Sequence, residues 1–348
     1  MKIEKTTFGH LNDGSEVSLF TLANDNNLAV KITNYGAIIT SIEMPDKNGK
    51  SENIVCGFNE FETYISDEYL GSYPYFGAII GRFGNRIAKG NLEIEGKLYK
   101  MAINNGPNHL HGGKIGFDRR LFDAETFKNE KEIGVKLTYL SPDMEENYPG
   151  NLKVTCIYTL NNKNELGIEY LAETDKTTVV NLTNHTYFNL TAGKENILNH
   201  ELELSATKMT EMVDQIPTGK IIPVAETPFD FNISKKINHR MPEVPMGYDD
   251  NFVFDNESGE LKYIATLKET QSGRKVEVLT TQPGMQVYTG YWNPELIIDG
   301  KKEFGSFSGI ALETQHYPDS VNQPGFPTTQ LKPGEKYNET TIYRFITE

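Results

Sequence analysis

The stretch Asn181–Leu190, NLTNHTYFNL, sets a histidine among polar and aromatic residues directly after an apolar, β-branched run. Thr177, Thr178, Val179, Val180 and Thr183 favour a pleated backbone, so 177–183 reads as a buried strand. Alternation continued into the next residues projects His185 and Tyr187 from one face. An imidazole ionises near ~6.5, so a modest change of environment lets it donate or accept a proton at neutral pH. That suits a general acid, and a hydrogen-bonded core histidine fits the same residues. A separate candidate for a base is Glu313, which follows the apolar run 309–312 and precedes a loop rich in Pro, Asp and Asn. Directed into a partly dry sheet face, it has its pKa raised by desolvation and becomes a base poised nearer neutrality. The plainer alternative is an exposed Glu at a strand end.

Four further segments carry donors and acceptors suited to hydroxyl groups. Gly81–Ile87, GRFGNRI, lacks both the Lys-Ser/Thr of a phosphate loop and the spacing of a dinucleotide fold. Its glycines allow close backbone approach, and Asn85 and Arg86 offer planar donors to hydroxyl or ring oxygens. Arg82 fits a structural ion pair equally well. Asn104–Gly113 places His109 and His111 two residues apart, and on a strand both would face one side, as a metal pair requires. No adjacent residue completes a metal-ligand spacing. Gly112 and Gly113 instead indicate a tight turn that brings the His111 imidazole up to a ligand, with His109 structural. In the loop-like segment 247–252, Asp249 can accept bonds from two hydroxyls, whereas Asp250 reads as an Asx-turn residue. Gln286, which can both donate and accept, shares a strand face with Tyr288, a residue equally at home in a core.

The elements that must position these groups are short β-type runs separated by turns. They lie at 16–22, 28–33, 36–43, 92–103 with a turn at Glu95-Gly96, 133–140, 152–160, 165–172, 202–212, 275–281, 285–291, 308–314 and 341–347. Long helical periodicity is absent, and 59–65 is the best short-helix candidate. Neither a repeat nor a low-complexity linker divides the chain. The expectation is an all-β protein: one large antiparallel β-sandwich over residues 1–348.

Composition narrows the partners. The net charge of −14 arises from 34 basic and 48 acidic residues, with no Lys/Arg cluster able to track a phosphate backbone or an anionic membrane. Cys56 and Cys156 are far apart and form no CxxC, so both read as buried thiols in a reducing compartment. The first residues lack the apolar core of a signal peptide, and no apolar run approaches the ~20 residues of a membrane helix. A soluble cytoplasmic protein acting on a small molecule is the expectation.

Taken together, GRFGNRI (81–87), HLHGG (109–113), NLTNHTYFNL (181–190) and LETQHYPD (312–319) resemble the aldose 1-epimerases, also called galactose mutarotases, in the family's order over nearly the whole chain. The resemblance implies a single large β-sandwich domain with the sugar in an open cleft, acting without cofactor or metal. By it, His185 matches the family's proton donor and Glu313 its proton acceptor, while Asn85, Arg86, His111, Tyr187, Asp249 and Gln286 match positions that contact the hexose. The implied reaction is the interconversion of α and β anomers of free aldohexoses. Phe83-Gly84 stands where the family often has Val-Ala, and Asp250 where a His is common. Three alternatives use the same residues: a hexose-6-phosphate epimerase, a glycosidase with Asp249 and Glu313 as its carboxyl pair, and a sugar-binding module without turnover.

Overall fold

The computed structural model describes residues 1–256, 259–298 and 301–348. Strands joined by tight turns dominate it. A nine-stranded antiparallel sheet runs in the order Asp123–Lys128, Glu132–Ser141, Leu152–Asn161, Glu165–Thr174, Tyr337–Thr347, Arg274–Thr280, Lys262–Glu269, Glu201–Leu204, Lys235–Lys236. Its central strands alternate as their sequences require. Val154, Cys156, Tyr158 and Leu160 point inward beside Leu166, Ile168, Tyr170 and Ala172 of the next strand. The turn between these two strands is set by Asn161, whose Oδ1 accepts from the backbone N–H groups of Lys163 and Glu165.

A six-stranded antiparallel sheet packs over the same core, in the order Tyr187–Phe188, Ile310–Gln315, Gly284–Tyr288, Asp249–Val253, Lys208–Val213, Ile216–Pro223. Tyr343 of the larger sheet donates to Leu312 O at 3.1 Å and packs its ring 5.1 Å from that of Phe188. A five-stranded sheet, Lys2–His10 through Ser51–Asn53 in chain order, adds Phe20, Leu22, Val30 and Ile32 to this principal core. Both cysteines are free and buried. Among the described residues no helix is long and apolar enough to cross a membrane.

The six-stranded sheet positions the chemistry. Ile310 and Leu312 face the principal core with Met285, Val287 and Phe252. Period-two alternation therefore turns Glu313 to the other face, in register with Gln286 and Asn251 on the two following strands. A one-residue slip would drive Glu313 into the hydrocarbon core.

Two runs are divided where the sequence reads one element, and two other segments are present but shorter than read. The run 177–183 forms two short pieces, because the chain changes partner within it: Thr178–Val179 pairs with Gln330–Leu331, and Thr183–Asn184 with Ile79–Ile80. The run 202–212 is likewise divided. Glu201–Leu204 belongs to the nine-stranded sheet and Lys208–Val213 to the six-stranded one, so the chain crosses between sheets at 205–207. The run 92–103 is the hairpin Asn91–Ile94 and Lys97–Lys100, turned at Glu95-Gly96 as expected. The helix in 59–65 is the single turn Phe61–Tyr64, followed by Asp67–Gly71, which Ser66 caps by accepting from Tyr69 N.

Candidate active site

Each candidate side chain is aimed by backbone pairing. The ladder Thr183–Asn184 with Ile79–Ile80 continues as His185 N donates to Ala78 O at 2.9 Å and Gly77 N donates to His185 O at 3.0 Å. Asn184 locks the same turn, its Nδ2 donating to Gly77 O at 2.9 Å and its Oδ1 accepting from Thr186 N. The chain is thus clamped on both sides of the imidazole. Tyr187 lies 4.9 Å from the His185 ring and Tyr75 stacks on it at 5.9 Å, so aromatic surface shields the ring from water.

Arg86–Ile87 pairs with His109–Leu110, and the ladder ends in a reciprocal clasp. His111 N donates to Asn85 O at 3.1 Å, and Asn85 N donates to His111 Nδ1 at 3.0 Å. Both residues adopt left-handed backbone, φ 65° for Asn85 and 50° for His111. This breaks the strand alternation, so the two histidines diverge. His109 turns away to Ala102 O and the Tyr148 hydroxyl, and only His111 reaches the site. Gly112 makes the turn possible: its φ is 83°, and a Cβ there would sit 1.8 Å from Gly81 O. Arg82, by contrast, is structural. Its guanidinium donates to Ser141 Oγ and to the carbonyls of Ser141, Pro142, Pro149 and Gly150.

His185 Nε2 lies 3.6 Å from Glu313 Oε1, with both side chains almost fully buried. The separation is longer than a direct hydrogen bond, and it suits two groups that each address a neighbouring oxygen of one ligand. Burial pushes Glu313 well above the usual carboxylate range; the nearby Asp249 adds to this and the Arg86 guanidinium opposes it. The same burial holds His185 down at about 3. Burial also holds His111 well below 6.5, reinforced by His185 and Arg86. Since His111 Nδ1 accepts from a backbone N–H, its neutral ring carries the proton on Nε2 and is a donor towards the cleft.

The pair lies in an open cleft of about 410 Å³. Seven of the eight side chains singled out from sequence line it: Asn85, Arg86, His111, His185, Tyr187, Asp249 and Glu313. The eighth, Gln286, is buried, and its Nε2 donates to Asp249 Oδ1 at 2.7 Å. Asp249 opens a strand where the sequence suggests a loop, because it pairs with Tyr288 of the Gly284–Tyr288 strand. Arg86 Nε donates to Asn105 Oδ1 at 3.1 Å, which fixes the fork at the cleft wall. Sequence reasoning passed over Tyr75 and Trp292, which also line the cleft. The available signal for Tyr75 was the aromatic cluster Tyr73-Pro74-Tyr75-Phe76 between a helix and a strand.

His111, His185 and Glu313 present one ligand atom each within 4.8 Å of one another, the protein ligand count of a catalytic zinc. The donor chemistry fits a metal poorly. A ligating histidine donates its second ring N–H to an acceptor, whereas His111 Nδ1 itself accepts a hydrogen bond from the Asn85 backbone N–H.

An imidazole and a carboxyl on one face of a large β-sandwich, ringed by amide, guanidinium and carboxylate groups, define an acid–base site shaped for a polyhydroxylated ligand. The aldose 1-epimerase family model matches residues 18–344, and the chain belongs to this family. It is 44% identical over 352 residues to galactose mutarotase from Bos taurus, with 99% of each chain covered. It is 32% identical over 345 residues to aldose 1-epimerase from Escherichia coli (strain K12), with 97% of each covered. Among solved structures, galactose 1-epimerase from Lactobacillus acidophilus NCFM superposes with a TM-score of 0.86 at 28% identity, covering 99% of this chain and 98% of that one.

Proposed function

We propose that this protein interconverts the α and β anomers of free aldohexoses, galactose and glucose among them, using Glu313 and His185 as its proton-transfer pair. Glu313 takes the proton from the anomeric hydroxyl while His185 delivers one to the ring oxygen, and the C1 to ring-oxygen bond opens to an aldehyde. The aldehyde turns by half a revolution about the C1–C2 bond. Reclosure on its other face returns both protons and gives the other anomer. Asn85, Arg86, His111, Tyr187 and Asp249 hold the sugar, and Gln286 acts by holding Asp249.

The observation that carries this reading is the 3.6 Å approach of His185 Nε2 to Glu313 Oε1 inside a cleft lined by hydroxyl-matching groups. Relatives named galactose mutarotase and aldose 1-epimerase, matched over almost their whole length, support it. The reading also takes residues 1–348 as one domain: the principal core draws on residues from Phe20 to Phe345. A phosphorylated hexose fits less well, because Arg86 is the sole cationic side chain among the described residues lining the cleft. Polarimetry on freshly dissolved α-galactose and α-glucose tests the proposal. Accelerated mutarotation of both is expected, and a rate equal to buffer alone would refute it. Release of nitrophenol from aryl glycosides instead would identify a glycosidase.

A further inference from the structure

The inner wall of the cleft is polar or buried aromatic, but its mouth carries an indole open to water. Trp292, the single tryptophan of the chain, lines the cleft with 65% of its surface exposed. It sits on a pinned turn. Asn293 N donates to Gly290 O at 3.1 Å, Phe307 N donates to the same oxygen at 2.9 Å, and Asn293 Nδ2 donates to Ser308 Oγ at 3.1 Å. Trp292 N itself donates to the Tyr288 hydroxyl at 2.9 Å. The Tyr291 ring stands edge-on to the indole at 4.7 Å. The turn follows the Gly284–Tyr288 strand, which also carries Gln286, so the strand that braces Asp249 at the inner wall also places the indole at the rim. A large apolar plane carried on a pinned turn and left in water is a contact surface open to a ligand.

We infer that Trp292 is a specificity-determining platform that stacks on one face of the bound pyranose and favours galactose over glucose. The inference rests on the reading of the site given above: with the anomeric oxygen and ring oxygen at Glu313 and His185, the C3–C4 edge points to the mouth. In galactose the axial C4 hydroxyl leaves the C–H groups of C3, C4 and C5 on one ring face as a continuous apolar patch. In glucose the C4 hydrogen lies on the opposite face and the patch is broken. Polarised C–H groups against the electron-rich face of an indole make the better contact for galactose.

Since the chain holds one tryptophan, its emission reports this position alone. Galactose should change that emission with a midpoint at its KM, and glucose should do so only at higher concentration. Trp292→Ala should raise KM for galactose ~10-fold and KM for glucose no more than ~3-fold, with kcat kept within about twofold; these factors follow from one aromatic contact. Trp292→Phe should restore most of the galactose affinity. Emission unchanged at sugar concentrations that saturate turnover would overturn the inference while leaving the reaction intact. So would a KM that rises equally for both sugars, or for neither. If the unmodified protein showed no mutarotation, the proposed reaction would fall, and the emission response to galactose against glucose would still decide the platform.

Discussion

Replacing Glu313 by Gln removes more than a base. At pH values between the ionisation of His185, held at about 3, and that of Glu313, raised well above its ordinary value, the sugar-free pair holds one proton, and burial assigns it to the carboxyl. In Glu313→Gln the histidine is the only titratable member left, and at neutral pH it is uncharged. The variant therefore has neither a proton to deliver nor a carboxylate to receive one. His185→Asn differs, since it keeps a carboxyl that still carries the exchangeable proton. A positioned acid or base contributes ~10²- to 10⁴-fold, so losing both roles predicts a fall of at least ~10⁴ in kcat for Glu313→Gln, against ~10² to 10⁴ for His185→Asn. The double variant should lie within a few-fold of Glu313→Gln, because both residues serve one proton-transfer event. Polarimetry on α-galactose, corrected for the spontaneous rate, measures all three. Thermal unfolding provides the control: burial already favours the neutral carboxyl, so the Gln variant should melt no lower than the parent. Glu313→Gln within ~10-fold of the parent would refute the reasoning, as would a His185→Asn variant markedly more damaged than it.

The pH dependence follows from the same shifts. The one-proton state of the pair extends from about 3 up through the raised carboxyl value, so kcat/KM should hold from neutrality down to roughly pH 5 and fall on the alkaline side as the shared proton is lost. An acid limb centred near ~6.5, the free imidazole value, would contradict this. Arg86→Lys keeps the charge but loses the fork and its bond to Asn105, and should raise KM ~10-fold in polarimetric kinetics without lowering Tm; an unfolded variant would make Arg86 structural. Arg82→Lys should do the reverse. Five acceptors surround that guanidinium and an ammonium offers three donors, so at least two stay unpaired at ~1–3 kcal/mol each, a loss of ~2–6 kcal/mol in urea unfolding. A variant as stable as the parent would refute it.

Much of the scaffold was legible because one face of each strand is buried and the period is two. The hairpin Leu152–Asn161 and Glu165–Thr174 lies within two residues of where alternation and the Asn-rich turn put it. That Glu313 faces away from the principal core follows from its alternation with Ile310 and Leu312, but its burial, for which an exposed strand end was the plainer alternative, depends on the residues that wall the cleft. Long-range partner choice was not legible either. Residues 202–212 carry one continuous β pattern, yet the chain leaves one sheet for the other at 205–207, and either sheet satisfies the same local periodicity. The segment holding Asp249 reads as a loop until the Gly284–Tyr288 strand supplies its ladder. The divergence of His109 and His111 rests on a left-handed residue that is not glycine, and the Asn85–His111 clasp that stabilises it joins residues 26 apart. Tyr75 reaches His185 from an aromatic loop whose course depends on packing of Phe58, Tyr69 and Phe76, contacts with no local signature.

The electrostatics of the pair bear on which stage of the reaction the site favours. Before ring opening, the proposed mechanism needs a carboxylate and an imidazolium; after it, the sugar has taken one proton from His185 and given one to Glu313, leaving a neutral carboxyl and a neutral imidazole. The pair is uncharged overall at both stages, but only the second is free of separated charges. Burial of Glu313 and His185 therefore favours the open-chain stage, which is the one that water alone populates least readily. The closed sugar must in turn draw the pair into its charged form, and Arg86, whose guanidinium opposes the upward shift of Glu313, is a fixed group that helps it do so. A more exposed pair would hold the charged form in the empty protein and lose this bias. Tyr75 and Tyr187, by walling His185 from water, act on the chemistry without donating or accepting a proton.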